Sequence, residues 1–139
     1  MKPTLEDIKL LVDKLAEKIN APHYLLPTYG HTNDAAQPHI EVDKKGQLYY
    51  IIVERGQELR RDFALDTNDL LYRIFADITF SMACAYELEH RIVNEDFRRQ
   101  MFSKQEEYLS ILNSEWGRRE EEKHHYILSS YPFDDNNSI

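Results

Sequence analysis

Glu87 and His90 stand three residues apart in the stretch YELEHRIVNEDFRRQMF, residues 86–102. On a helix that spacing brings a carboxylate and an imidazole to one face, as when a single helix offers two ligands to a metal ion. A ferritin-like di-iron site needs such motifs on two helices of a four-helix bundle, with two further glutamates. Here a stretch patterned as β-strands precedes the motif. A mononuclear centre would need more ligands, which spacing does not name. The bland reading is that Glu87 and His90 form the polar side of a helix whose other side carries Met82, Ala85, Leu88 and Ile92.

Other candidate chemistry fails on its missing parts. His39-x-Glu41 matches the first half of the zinc-deaminase signature, but the second half takes two cysteines and the chain has one, Cys84. Asp43-Lys44-Lys45 has the acid and lysine of some metal-dependent nucleases, yet it lies beside Gly46 where a hairpin turn is expected. Cys84 sits in the apolar stretch FSMACAY and reads as core filler. His124 and His125 are neighbours, and adjacent helix residues point in different directions, so one ion does not suit both. The four glycines, at 30, 46, 56 and 117, are too scattered for a dinucleotide fingerprint or a phosphate loop. No catalytic residue, metal or cofactor is expected. A small enzyme or metal protein built on His39, Glu41, Glu87 and His90 remains the competing class.

The 139 residues suit one domain with a real core, and 42% hydrophobic with 30% charged residues is a globular profile. A net charge of −8 argues against a nucleic-acid partner and favours a basic protein partner. Three arginine pairs, at 60–61, 98–99 and 118–119, have acids close by and read as mixed, solvated faces. One cysteine, an N-terminus without a signal-peptide core and no run of membrane-spanning length point to the cytoplasm.

The elements that position these residues follow from periodicity. Thr4, with Asp7 three residues on, caps a helix carrying Ile8, Leu11, Val12, Leu15 and Ile19. Pro22 and Pro27 open a turn-rich loop. From Pro38 the period becomes two: PHIEVD, with His39 and Glu41 facing out; QLYYIIVER, apolar on both faces; and ELRRDFAL, with Leu59, Phe63 and Leu65 on the core side. Asp66 or Thr67 starts a helix running to about Ile92, Asn94 caps a second, and Asn113 or Ser114 a third. The expectation is an α+β fold: an N-terminal helix, a three-stranded antiparallel meander, then three C-terminal helices packed on the sheet. Residues 1–133 form a single domain and 134–139 a flexible tail.

The segments PTYGHTNDAAQPHIEV, VERGQELRRDFALDTNDLLYRIFADITFSMACAYELEHRIVNEDFRRQMFSKQEEYLSILNSEW and YPFDD resemble the bacterial immunity protein 63 family of polymorphic toxin systems. The resemblance covers about residues 4 to 135 and is most specific in LLPTYG, PHIEV, VERGQE, DITFSMA and YELEHRI followed by NEDFRRQMFSKQ. It implies an α+β cytosolic antagonist that binds and neutralises a cognate toxin domain, and it brings no catalytic motif. An adaptor domain of another cytosolic complex is the alternative. An immunity protein needs a complementary surface, not a nucleophile. Two surfaces suggest themselves. One is the loop from Tyr24 to Gln37, with Tyr29 as an aromatic anchor. The other comprises Glu87, His90, Arg91, Asp96, Arg98 and Arg99, unless these form an internal salt-bridge network. Two sheet edges also permit a homodimer without requiring one.

Overall fold

The computed structural model describes residues 2–32, 34 and 36–137. The chain divides into two compact units, Met1–Phe75 and Ala76–Ile139. In order, the longer elements are α1 (Leu5–Lys18), β1 (Thr28–Tyr29), β2 (His39–Val42), β3 (Leu48–Glu54), β4 (Gln57–Ala64), α2 (Thr67–Glu89), α3 (Arg98–Leu112) and α4 (Ser114–Ser130). The α+β class holds, with four such helices and a four-stranded mixed sheet.

In the first unit, α1 opens with the capping box. Asp7 N–H donates to Thr4 Oγ1 at 3.1 Å, and Thr4 N–H donates to Asp7 Oδ2 at 3.0 Å. Ile8, Val12, Ala16 and Ile19 are buried, whereas Leu11 lies 40% exposed. The sheet order is β1-β2-β3-β4, with β1 parallel to β2 and the other neighbours antiparallel. The expected meander therefore gains a strand from a segment read as loop. Two residues between Pro27 and Gly30 are too few for an alternation to register. Their pairing is set by distant partners: Thr28 N–H donates to Pro38 O at 3.0 Å and Gly30 N–H to Ile40 O at 2.8 Å.

Strand β3 is buried on both faces as its pattern demands, with Tyr50 1% and Ile51 0% exposed. Its neighbours correct two further expectations. His39 does not face out: it pairs with Ile51 and is 3% exposed. In β4, Leu59 (58% exposed) and Phe63 (45%) are not on the core side, nor is Leu65 (80%) just beyond it. The register sets Ala64 against Leu48, Asp62 against Tyr50 and Arg60 against Ile52, so the even positions share the face of buried Leu48 and Tyr50. A bulge inserts Leu59 as the extra residue, since Ile52 pairs with Arg60 but Val53 with Glu58. Arginine makes the inner positions tenable. The Arg60 guanidinium lies 5.0 Å from the Tyr50 ring centroid and pairs with Asp62, which also takes Arg73 from α2.

In the second unit, α3 and α4 pack against each other across a single connecting residue, Asn113. Its Oδ1 accepts the N–H groups of Glu115 and Trp116, as expected of an N-cap. The helices approach closely at Gly117, where an added Cβ would lie 1.9 Å from Ser110 Oγ and 3.1 Å from Ser110 Cα. Ala83, Met101 and Phe102 form an apolar cluster lined by Cys84, Ile127, Leu128 and Phe133. Cys84 is only partly buried at the edge of this cluster; burial pushes its thiol up, and its Sγ lies 3.4 Å from Met101 Sδ. Asn94 is not the cap of α3. It adopts a left-handed conformation (φ 66°), and the helix starts later, where Asp96 Oδ1 accepts Arg98 N–H at 3.0 Å.

Candidate functional site

The end of α2 and the connection to α3 hold most of the singled-out residues. Arg91 grips Glu87 with two donors: Nη2 to Oε1 at 2.7 Å and Nε to Oε2 at 3.1 Å. Glu87 is 4% exposed, so this pairing compensates a buried charge and occupies both of its oxygens. His90 is exposed and turned elsewhere. Its ring stacks on Tyr86 at 4.0 Å, and Nδ1 meets the Tyr86 carbonyl at 2.9 Å. The two groups of the Glu-x-x-His motif thus serve different partners. Among the described residues, no group of three or more His, Cys, Asp or Glu is placed to hold a metal ion.

The expected polarity of this helix end is inverted. Glu87, placed on the polar side, is buried, while Leu88 (65% exposed) and Ile92 (49%), placed on the core side, face water. The reason is a charge pair. Arg91, one turn on, neutralises Glu87 and lets the carboxylate occupy a position that periodicity would give to an apolar residue.

Asp96, Arg98 and Arg99 bind the C-terminal segment. Asp96 Oδ2 accepts Arg98 Nη2 at 2.8 Å and Asp134 N–H at 2.9 Å, and Asp96 N–H donates to Asp135 Oδ1 at 2.8 Å. Arg98 donates to the carbonyls of Tyr131 and Pro132 at 2.8 and 2.9 Å. Arg99 makes a two-donor pair with Asp135, and its guanidinium lies 4.3 Å from the Phe133 centroid. The Arg98 guanidinium, despite the opposing effect of burial, holds the Asp96 carboxyl well below the usual carboxylate range. Asp134 and Asp135, in the segment expected to form a tail, are thus engaged by side chains from the start of α3. Tyr29 lies in β1, half-buried, with its hydroxyl shut off from solvent and without a hydrogen bond. Burial first, then the Asp13 charge, raise its pKa.

Sequence reasoning missed a buried network on α3 and α4. His124, 3% exposed, stacks on Phe102 at 3.9 Å. Its Nδ1 meets Glu106 Oε2 at 2.5 Å, and its Nε2 meets Glu120 Oε2 and Gln105 Oε1, each at 3.1 Å. Gln105 Nε2 donates to Ala76 O at 2.9 Å, tying α2 in. The i,i+4 spacing of Glu120 and His124 was a visible signal, but Glu106 lies on another helix. Glu121 and Glu122 stand three residues before His124 and His125, repeating the Glu-x-x-His spacing, yet both are exposed and His124 uses Glu120 instead. The opposed carboxylates suit an imidazolium: burial lowers its pKa, but hydrogen bonds and charge from Glu120 and Glu106 outweigh that and leave it raised.

No described helix is long and apolar enough to cross a membrane. No curated protein and no solved structure matches the chain. A family model, immunity protein 63, matches residues 44–126, from the turn before β3 into α4. With more than half of its length matched, the chain belongs to the immunity protein 63 family.

Proposed function

We propose that this protein acts in the bacterial cytoplasm as an antagonist that binds a cognate toxin domain and blocks it by occlusion, without catalysis. The observation that carries this reading is the family match over residues 44–126. The net charge of −8 suits a basic partner, for which opposite charge speeds association and sharpens specificity. The proposed contact lies at the α2–α3 connection, around Glu87, His90, Arg91, Asp96, Arg98 and Arg99. Apart from His90, these side chains form the internal salt-bridge network that was the alternative to a contact surface, so in this reading they hold the connection in shape and their exposed neighbours make the contact.

The test is co-expression of the full chain with the toxin domain encoded beside its gene. The pair is purified at low and moderate salt, and toxin activity is assayed with and without the antagonist. A complex that survives moderate salt and suppresses activity in proportion to its occupancy is the expected result. Full toxin activity in the presence of saturating folded antagonist would overturn the reading.

A further inference from the structure

Four large apolar side chains face water within ten residues of the α2–α3 connection: Leu88 (65% exposed), Ile92 (49%), Val93 (80%) and Phe97 (39%). Scattered exposed apolar residues are ordinary; four within ten consecutive residues, three of them in the connection itself, point to an interaction surface. The backbone that carries them is fixed. Arg91 is held by Glu87, Gln100 Nε2 donates to the His90 carbonyl at 2.8 Å, Glu95 N–H donates to Ile92 O at 3.3 Å, and Asp96 anchors the start of α3. Glu89 and Glu95 lie in the same segment; Glu95 interacts with the Arg99 cation, while Glu89 forms no ion pair among the described residues, so the exposed charge left over is negative.

We infer that this connection is a preformed knob. Leu88, Ile92, Val93 and Phe97 enter an apolar cleft on the toxin domain, and Glu89 and Glu95 meet basic groups on the cleft's rim. The inference rests on the reading of the chain as a toxin antagonist and names the contact that reading requires. Glu87, Arg91, Asp96 and Arg98 are then positioning residues, and the apolar four are the anchors, since interface energy concentrates in a few desolvated side chains within a charged rim.

The experiment measures binding of the full chain to a catalytically inactive form of the toxin domain encoded beside its gene. Variants are Val93→Asp, Ile92→Asp and, as an exposed apolar control on α4, Tyr126→Asp, itself 78% exposed. Thermal melts check that each is folded; Val93 is exposed enough for its substitution to spare the fold. The knob predicts that Val93→Asp and Ile92→Asp each raise Kd by about 30-fold or more while Tyr126→Asp leaves it unchanged. Glu89→Gln with Glu95→Gln slows association and flattens its salt dependence. Wild-type affinity in both aspartate variants would overturn the knob and leave the antagonist reading standing. If the unaltered chain fails to bind the toxin domain, both fall together.

Discussion

The two compact units bury different chemistry. The first encloses Ile8, Val12, Ile40, Tyr50, Ile51, Leu70 and Ile74, with His39 and Asp69 as its buried polar groups. The second buries Thr79, Glu87, Asp96, Gln105, Glu120 and His124 beside Ala83, Met101, Phe102, Leu109 and Trp116. Helix α4, SEWGRREEEKHHYILSS, shows why: its sequence has too few apolar positions to fill an inward face. It closes that face with hydrogen-bonded charge. Such networks are unforgiving, because a satisfied buried charge contributes little net stability while an orphaned one costs several kcal/mol. The first unit should therefore respond to changes of volume, and the second to changes of charge.

The largest test of this contrast is Arg98→Ala. It leaves Asp96, 6% exposed, without its guanidinium and releases the carbonyls of Tyr131 and Pro132. The expected cost is about 3–5 kcal/mol in chemical denaturation, with faster amide exchange at residues 131–136. Toxin affinity per folded molecule should fall far less than in Val93→Asp if Arg98 only positions its neighbours. A loss below about 1 kcal/mol would show that the buried charges are not what holds this unit closed.

His124 gives the next effect through pH. Its neighbours are Glu106 and Gln105 on α3, Glu120 and Lys123 on α4, and Asp77 on α2. Because its folded pKa is raised above the ordinary value of 6.5, its contribution is complete below that value. It is lost as pH rises through the folded pKa. Charged hydrogen bonds of this kind are worth about 1.5–3 kcal/mol. The gap in stability between the wild type and His124→Gln should be widest in mildly acid buffer and narrow toward alkaline pH. A gap that is constant with pH would mean that His124 is buried neutral.

Gly117→Ala comes third, and it sharpens the contrast by showing where the second unit does depend on volume. The added Cβ meets Ser110 Oγ, which can rotate away, but also Ser110 Cβ at 2.9 Å, which moves only with α3. Overpacking should cost about 1–3 kcal/mol. The double variant with Ser110→Gly should recover most of it, a coupling readable in a double-mutant cycle.

Legibility in the sequence followed the same divide. Helix α1, the two faces of β3 and the Asn113 cap could be read because local period and capping chemistry decide them. Strand β1 could not, since two residues carry no period and Pro38 and Ile40 define their pairing. The inner face of β4 misled because a bulge shifts the alternation and Arg60 tolerates a place over Tyr50 that an apolar residue was expected to fill. Around the candidate site, the Glu87–Arg91 spacing was visible, but which member would be buried was not. Glu87 is buried while Leu88 and Ile92 face water, and it is this reversal, not the metal-like motif, on which the proposed knob rests.

The smallest effect belongs to an exposed pair in the first unit. Arg61 donates to both oxygens of Glu58 at 2.8 and 3.0 Å, geometry as good as that of Arg91 with Glu87. The difference is solvent: the Arg61 and Glu58 side chains are 43% and 42% exposed, whereas Glu87 is 5% exposed in its pair. Water screens the former pair and resolvates either partner when the other is removed. Arg61→Gln should cost less than about 1 kcal/mol, while Arg91→Gln, which strands a buried carboxylate, should cost several times more. The two substitutions delete the same chemical group from the same bidentate geometry, so equal losses would show that geometry, and not burial, sets the sensitivity of these pairs.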